Sequence, residues 1–323
     1  MWSTPTARGL GLVVLYVSWG STYPVMKVAL RTIPPFLLLT ARCLLAALAL
    51  LLIARLLGAS WPGRRQWLGS LVVGGLVLGG GHGLTAWAMV QASGGLAALL
   101  VSVVSVWLAV LSWILLGRRP SRRTGLGLLT GLAGVAVLAG TASAGLGWAP
   151  LLALIVSPLA WALGSVVSSR VRLPAEPLMA TAAQLLVLVP VFALLAVAAG
   201  EPARITAASL SGTSLTALIY LALVGYVIGF AAYTWLIREL ALATVGTYAY
   251  ANPLVAVGLG VLLLGEPLTG SMLLGGLVIL GGVALVVWDR APLAPATVLT
   301  VPVPVVDVPP PPRVRDVAVA SEA

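Results

Sequence analysis

The run LLVLVPVFALLAVAAG (Leu185–Gly200) contains no charged side chain and no alternation of polar with apolar residues. Strands of a membrane barrel would alternate over segments of about ten residues, whereas a membrane-spanning helix needs about 20 mostly apolar residues. Apolar stretches of this kind recur along most of the chain. The run therefore predicts a helix that crosses a bilayer, and its recurrence predicts an all-α integral membrane protein.

The composition supports the same class. Of 323 residues, 60% are hydrophobic and 8% are charged, whereas a soluble domain carries about 25% charged residues. The net charge of +10 does not indicate nucleic-acid binding, because the arginines lie in short segments between apolar runs. The expected partners are the lipid bilayer and a small-molecule substrate, with no nucleic acid, and formation of a homodimer is left open. The apolar run after Arg8 has no small-residue cleavage site and predicts an uncleaved first helix.

Ten transmembrane helices are predicted, with an N-terminal segment (1–8) before them and the Pro-rich segment 291–323 after them. That last segment contains VPVPVVDVPPPPRVR (Val301–Arg315), which cannot form a core and predicts a disordered cytoplasmic tail. The predicted helices are 9–30, 35–57, 67–90, 94–116, 124–141, 148–169, 178–199, 213–236, 242–264 and 270–288.

The arginines predict the orientation. With the N-terminus inside, twelve arginines near helix ends are cytoplasmic and two, Arg31 and Arg204, are outside. Cytoplasmic loops are enriched in Lys and Arg, so both termini are predicted to be cytoplasmic and the chain to be a multi-pass protein of the plasma (inner) membrane.

The chain also contains an internal repeat. Trp87 aligns with Trp235 at a shift of 148 residues, and Trp19 aligns with Trp161 at a shift of 142. The repeats are predicted at 9–141 and 148–288, with five helices each. Because five is odd, the second repeat is inverted relative to the first, an arrangement typical of secondary transporters that bind substrate between the halves.

A resemblance follows from the same residues. The WGS of the first helix (Trp19–Ser21), Lys27, Arg42 in the second helix, and LLLGEPLTGSMLLGGLVILGGVAL (Leu262–Leu285) together resemble the EamA family of the drug/metabolite transporter superfamily. The resemblance covers about residues 9–288. It implies ten spans and movement of small metabolites, often amino acids and usually out of the cell.

Candidate substrate-binding residues begin in the first helix. Trp19, Tyr23 and Lys27 are spaced four apart and share one helix face, and Pro24 leaves the carbonyl of Gly20 without its helical partner. The stretch predicts one wall of a polar cavity. The alternative is a packed proline kink, with Lys27 reaching toward the headgroups.

Arg42 and His82 are the other candidates in the first half. Arg42 lies roughly 10 Å below the outer surface, and no Asp or Glu falls within a predicted helix, so both a structural and a substrate role are open. The same two alternatives apply to His82. Its neighbours Gly75, Gly79 and Gly83 recur every four residues and predict a close helix approach.

In the second half, the candidates are Tyr226 and Tyr233, on one face of the eighth helix, and Tyr250 with Asn252, beside Pro253 in the ninth helix. Tyrosines at span ends can instead belong to an interfacial belt. No catalytic residue, cofactor or metal ligand is predicted, and the protein is not expected to be an enzyme.

The function predicted is secondary transport of small polar metabolites, such as amino acids or related carboxylates, with export as the expected direction. A drug/cation–proton antiporter is an alternative, although it would need a carboxylate within the membrane. An intramembrane serine hydrolase with His82 as base is another, although no Gly-x-Ser-x-Gly motif is present. His82 is the only side chain of a type that titrates between roughly pH 5 and 8, so either transport is facilitated or His82 carries the proton. Facilitated transport is favoured, because the flanking glycines predict tight packing with little room for water around the ring.

Overall fold

The computed structural model describes residues 4–117, 121–142, 146–240, 242–245 and 247–287, and all longer regular elements in these ranges are helices. The α-helices are α1 (Pro5–Gly20), α2 (Thr22–Ala29), α3 (Pro35–Leu56), α4 (Arg64–Gly74), α5 (Leu84–Ala88), α6 (Gly94–Val101), α7 (Val104–Leu116), α8 (Arg122–Ala142), α9 (Trp148–Ser168), α10 (Pro177–Ala198), α11 (Gly212–Tyr220), α12 (Gly229–Glu239), α13 (Leu242–Val245), α14 (Tyr248–Leu264) and α15 (Gly270–Val287). Short 3₁₀ turns cover Glu201–Arg204 and Ala207–Leu210.

Each of the ten predicted ranges contains helix, but the start of the chain differs from the prediction. α1 begins at Pro5, inside the segment 1–8 that was predicted to precede the first helix. Its start is fixed by Thr4, whose hydroxyl accepts a hydrogen bond from the amide of Ala7 at 3.3 Å, and by Pro5 at the first helical position. The predicted tail 291–323 lies outside the described residues.

Six described helices or joined helical runs are long and apolar enough to cross a membrane, judged by length and composition. They are Pro35–Leu56, Arg64–Ala88, Gly94–Leu115, Trp148–Ser168, Pro177–Ala198 and Gly212–Ile237. Tyr248–Leu264 and Gly270–Leu285 are shorter apolar helices. At about 1.5 Å per residue, the six longer ones reach the ~30 Å thickness of a bilayer core.

Helices that the sequence repeat relates to each other also pack together. The most extensive helix pairs are α8 with α15 and α3 with α10. α8 and α15 are repeat mates at the shift of 148, and α3 and α10 are repeat mates at the shift of 142. Each half therefore buries two of its helices against their counterparts in the other half.

The backbone follows the same two shifts. Four glycines have positive φ: Gly58 (85°) and Gly200 (66°), which are 142 residues apart, and Gly117 (70°) and Gly265 (64°), which are 148 residues apart. Each lies just after the end of a helix, at α3, α10, α7 and α14. This left-handed conformation favours glycine and ends a helix, so the two halves end corresponding helices by the same device.

A π-helix interrupts the corresponding helical run of each half, at Gly75–Gly83 between α4 and α5 and at Leu221–Ile228 between α11 and α12. Such segments with i→i+5 hydrogen bonds are rare and are often found at functional sites. Two carbonyls of the second π-helix, those of Leu221 and Gly225, accept hydrogen bonds from side chains of the site described below.

The first π-helix corrects the prediction about glycine spacing in part. A Cβ at Gly75 would meet nothing within 4 Å, and one at Gly79 would make only ordinary contacts, whereas one at Gly83 would lie 3.2 Å from the Phe192 ring of α10, a close approach as predicted. Closer approaches occur at Gly74, where a Cβ would lie 2.9 Å from the carbonyl oxygen of Gln184, and at Gly80, 2.7 Å from Cβ of Ala160. The prediction assumed a regular α-helix, and the altered π-helical spacing rotates other glycines toward α9 and α10.

Candidate functional site

A cavity lies where α1–α2, α3, α9, α14 and both π-helices meet, and the empty space in it and in the open solvent at its mouth together is about 810 Å³. Aromatic rings and a single charged side chain dominate its wall. The lining residues are Trp19, Thr22, Tyr23, Met26, Arg42, Gly81, His82, Thr85, Met89, Val101, Val104, Ser157, Trp161, Gly225, Tyr226, Phe230, Tyr248 and Asn252.

Arg42 is the charged residue of this wall, and its side chain is almost completely buried, with 2% exposed. Its Nε donates a hydrogen bond to the carbonyl of Leu221, in the second π-helix, at 3.2 Å. Its guanidinium carbon lies 4.0 Å from the centre of the Tyr226 ring, a cation–π contact. Within the described part of the chain, no carboxylate forms an ion pair with Arg42, and no acceptor is bonded to its terminal nitrogens.

His82 and Tyr226 connect the two π-helices across the cavity. Nδ1 of His82 and the hydroxyl of Tyr226 are 2.7 Å apart, which is hydrogen-bonding distance. The imidazole also contacts Trp161 of α9, with ring centres 4.8 Å apart. The Tyr226 ring also contacts Arg42, so this bridge connects His82 to the guanidinium.

Trp19, which also lines the cavity, is the centre of an aromatic cluster. Its indole nitrogen donates to the carbonyl of Gly225, again in the second π-helix, at 3.2 Å. Its ring centre lies 5.4 Å from Tyr233, 5.3 Å from Phe230 and 4.9 Å from Tyr248. The polar edge of the indole is thus satisfied by protein, and its ring contributes apolar surface to the cavity.

The nine candidates from the sequence fall into two groups. Six line the cavity: Trp19, Tyr23, Arg42, His82, Tyr226 and Asn252. Tyr233 lies behind the wall, stacked on Trp19, and Tyr250 packs against the core at its edge. Lys27 is not part of the lining, and its ammonium group is hydrogen-bonded to backbone carbonyls of Met89, Val90 and Ala92.

Three aromatic lining residues, Trp161, Phe230 and Tyr248, were not among the candidates. Trp161 could have been found from the sequence, because it is the repeat mate of Trp19. The two tryptophans line the same cavity. Tyr248 precedes Asn252 by four residues, so the two share a face of α14. Tyr250, two residues after Tyr248, points to a different side of that helix.

The sequence profile of the EamA-like transporter family matches this chain twice, at residues 8–140 and 148–288. The chain belongs to the EamA-like transporter family. Its membership accounts for the apolar helices, the repeat and the enclosed cavity together, and identifies the protein as a membrane transporter of the EamA type. The two matched ranges also coincide with the two halves of the chain, whose helices α3 and α8 pack against α10 and α15.

Relatives of this EamA-family protein cover nearly its whole length. It is 37% identical to the "Uncharacterized inner membrane transporter YedA" of Escherichia coli strain K12, over 90% of this chain and 94% of that protein. It is 25% identical to the "Probable amino-acid metabolite efflux pump" of Salmonella typhimurium strain LT2, over 84% and 92%. A solved crystal structure with 23% identity matches its fold with a TM-score of 0.59, over 87% of this chain and 96% of that one.

Proposed function

We propose that this EamA-family protein is a secondary carrier that exports small polar metabolites with a carboxylate, such as amino acids, across the plasma (inner) membrane. The observation that carries the proposal is Arg42, a buried cation on the cavity wall without a carboxylate partner among the described residues. Burying an unpaired charge is costly. A carboxylate on the substrate would supply both the missing charge and the acceptors for the terminal nitrogens of Arg42.

The rest of the wall suits an amino acid. Trp19, Phe230 and Tyr248 form an apolar aromatic surface that accepts a side chain, and aromatic faces also attract an ammonium group. Thr22 and Asn252 add polar groups to the same cavity. The amino-acid name of the Salmonella relative supports this substrate class.

The proposed architecture is ten spans in two inverted repeats of five helices, with both termini in the cytoplasm. The pairing of repeat mates in the fold supports the inverted repeat, and the twelve-to-two distribution of arginines supports the orientation. A reporter fused after Arg290 should be active only in its cytoplasmic version, and activity of the external version would contradict the orientation.

The cation–proton antiporter is the less favoured alternative. Such a carrier binds a cation and a proton in turn at a carboxylate, whereas the described cavity wall carries a cation. The proposal therefore includes facilitated transport, driven by the solute gradient. It predicts that proteoliposomes with an imposed pH gradient do not accumulate solute above equilibrium.

Counterflow of labelled amino acids in proteoliposomes tests the proposal, with the corresponding decarboxylated amines as the comparison. We expect transport of amino acids but not amines. Arg42→Gln, which introduces the residue found at the repeat-related position Gln184, should raise the KM roughly 10- to 100-fold, because a hydrogen bond to a charged group contributes about 1.5–3 kcal/mol. Equal transport of amines, or an unchanged KM in folded Arg42→Gln, would remove Arg42 from the substrate site.

A further inference from the structure

The connection between α5 and α6 (Met89–Ser93) is bound from two sides by charged residues that are distant in sequence. Lys27, at the end of α2, contacts the part that follows α5. Glu266, just after α14, contacts the first residues of α6. One residue comes from the first half of the chain and the other from the second, so a single short connection is held by both halves.

Lys27 is fully engaged in this contact. Its ammonium nitrogen lies 2.8 Å from the carbonyl oxygen of Met89, 3.2 Å from that of Val90 and 2.8 Å from that of Ala92. A lysine ammonium has three hydrogen-bond donors, and three acceptors are present. These carbonyls lie in the connection that follows α5, outside a helix, where they are free to accept from a side chain. With three acceptors bound, no donor of Lys27 is left for a substrate.

Glu266 makes the complementary contact. Its carboxylate accepts hydrogen bonds from the amides of Gly94 at 2.7 Å and Gly95 at 3.1 Å, the first two residues of α6. A negative charge at a helix N-terminus satisfies amides that the helix leaves unpaired. A Cβ at Gly94 would lie 3.3 Å from the backbone of Tyr23 and Pro24 and 3.4 Å from Glu266, so a glycine allows this close approach.

The clamped connection adjoins one end of the cavity. Met26, directly before Lys27, and Met89, the first residue of the connection, both line the cavity and are 5% and 0% exposed. We propose that Lys27 and Glu266 form a two-sided clamp that holds the Met89–Ser93 connection across this end and must loosen for the end to open. Both are then positioning residues that do not touch the substrate.

The proposal rests on the proposed function, since an end that opens matters only if the cavity carries substrate. Its test therefore uses a readout that needs no substrate. In a Cys43→Ala background, Met26→Cys provides a single thiol at the closed end, and the rate of its labelling by a membrane-impermeant maleimide is measured in proteoliposomes. Lys27→Gln and Glu266→Gln are each added to this background. Arg31→Gln, which removes an exposed cation four residues after Lys27, is the matched control.

We expect each clamp variant to increase the labelling rate by roughly tenfold, because charge-assisted hydrogen bonds that favour the closed end are lost, while Arg31→Gln leaves it unchanged. The KM for an amino acid should change less than about twofold, whereas the maximal rate should change, as expected for residues that act on a conformational step. Having two clamp variants keeps the test informative if one of them fails to fold.

Unchanged labelling in both folded clamp variants would overturn the clamp, as would an equal increase in the Arg31→Gln control. A large increase in KM for Lys27→Gln, with unchanged labelling, would instead make Lys27 a ligand of the substrate. Failure of the wild type to transport any amino acid, with the expected labelling pattern intact, would contradict the proposed function and leave the clamp standing.

Discussion

The contact between α8 and α15 provides a sharp test of how the two halves are held together. A Cβ at Gly282 of α15 would lie 2.5 Å from the amide nitrogen of Gly131, 2.9 Å from its Cα and 2.7 Å from the carbonyl oxygen of Gly127. All three atoms belong to the backbone of α8, which cannot rotate away as a side chain can. Gly282→Ala therefore forces the two helices apart.

The neighbouring Gly281 provides the matched control, since a Cβ there would meet nothing within 4 Å. Alanine is favoured over glycine within a helix by about 1 kcal/mol, and this gain applies to both variants. Overpacking costs about 1–3 kcal/mol and applies to Gly282→Ala alone. The free energy of unfolding should thus be about 1–3 kcal/mol lower for Gly282→Ala than for Gly281→Ala.

Thermal unfolding of the detergent-purified variants, followed by tryptophan fluorescence, measures this difference. With about 2 °C of Tm for each kcal/mol in a chain of this size, Gly282→Ala should unfold about 2–6 °C below Gly281→Ala. Equal midpoints for the two variants would refute the close crossing of α8 and α15, and with it one of the two contacts between repeat mates.

Two further predictions concern single side chains. Trp161→Leu should raise the KM about 2- to 10-fold in initial-rate transport assays, since it removes an aromatic contact worth about 0.5–1.5 kcal/mol. The control Trp113→Leu, at a position 48% exposed, should leave the KM unchanged. Equal effects of the two variants on the KM would exclude Trp161 from the site. Glu201, 2% exposed, caps the first amides of α3, so Glu201→Gln should lower the free energy of unfolding by about 1–3 kcal/mol. Glu239→Gln, in the partly exposed ion pair with Arg8, should cost less than about 1 kcal/mol, and a reversed order in thermal unfolding would contradict this assignment.

Much of the helix layout could be predicted from the sequence, because local signals mark where helices begin and end. Pro35 and Pro177 occupy the first position of α3 and α10, where proline fits a helix without loss of a hydrogen bond. Gly58 and Gly200 end the same two helices in the left-handed conformation. Each signal depends on the chemistry of a single residue. Because these residues recur at the shift of 142, the helix starts and ends recur in the backbone at the same shift.

The π-helices could not be predicted, because the segments that form them, GLVLGGGHG and LALVGYVI, share no evident pattern. Tyr226 and Tyr233, which were predicted to share a face, both belong to the aromatic cluster around Trp19, Tyr226 through Phe230 and Tyr233 directly. Tyr226 lines the cavity, whereas Tyr233 does not. They are seven residues apart, roughly 10 Å along a helical run, so a shared face does not place both at the cavity.

The two basic candidates of the first half, Lys27 and Arg42, show why their roles could not be separated from sequence. Lys27 lies beside the end of a helix, where free carbonyls are available, and all three of its donors are occupied. Arg42 lies beside the middle of a helical run, where carbonyls are normally bonded within the helix, and among the described residues only the π-helical Leu221 accepts from one of its five donors. The residue with spare donors is thus the one that lines the cavity. In the proposed function, a carboxylate that enters this cavity would supply the negative charge that the described residues do not place beside Arg42.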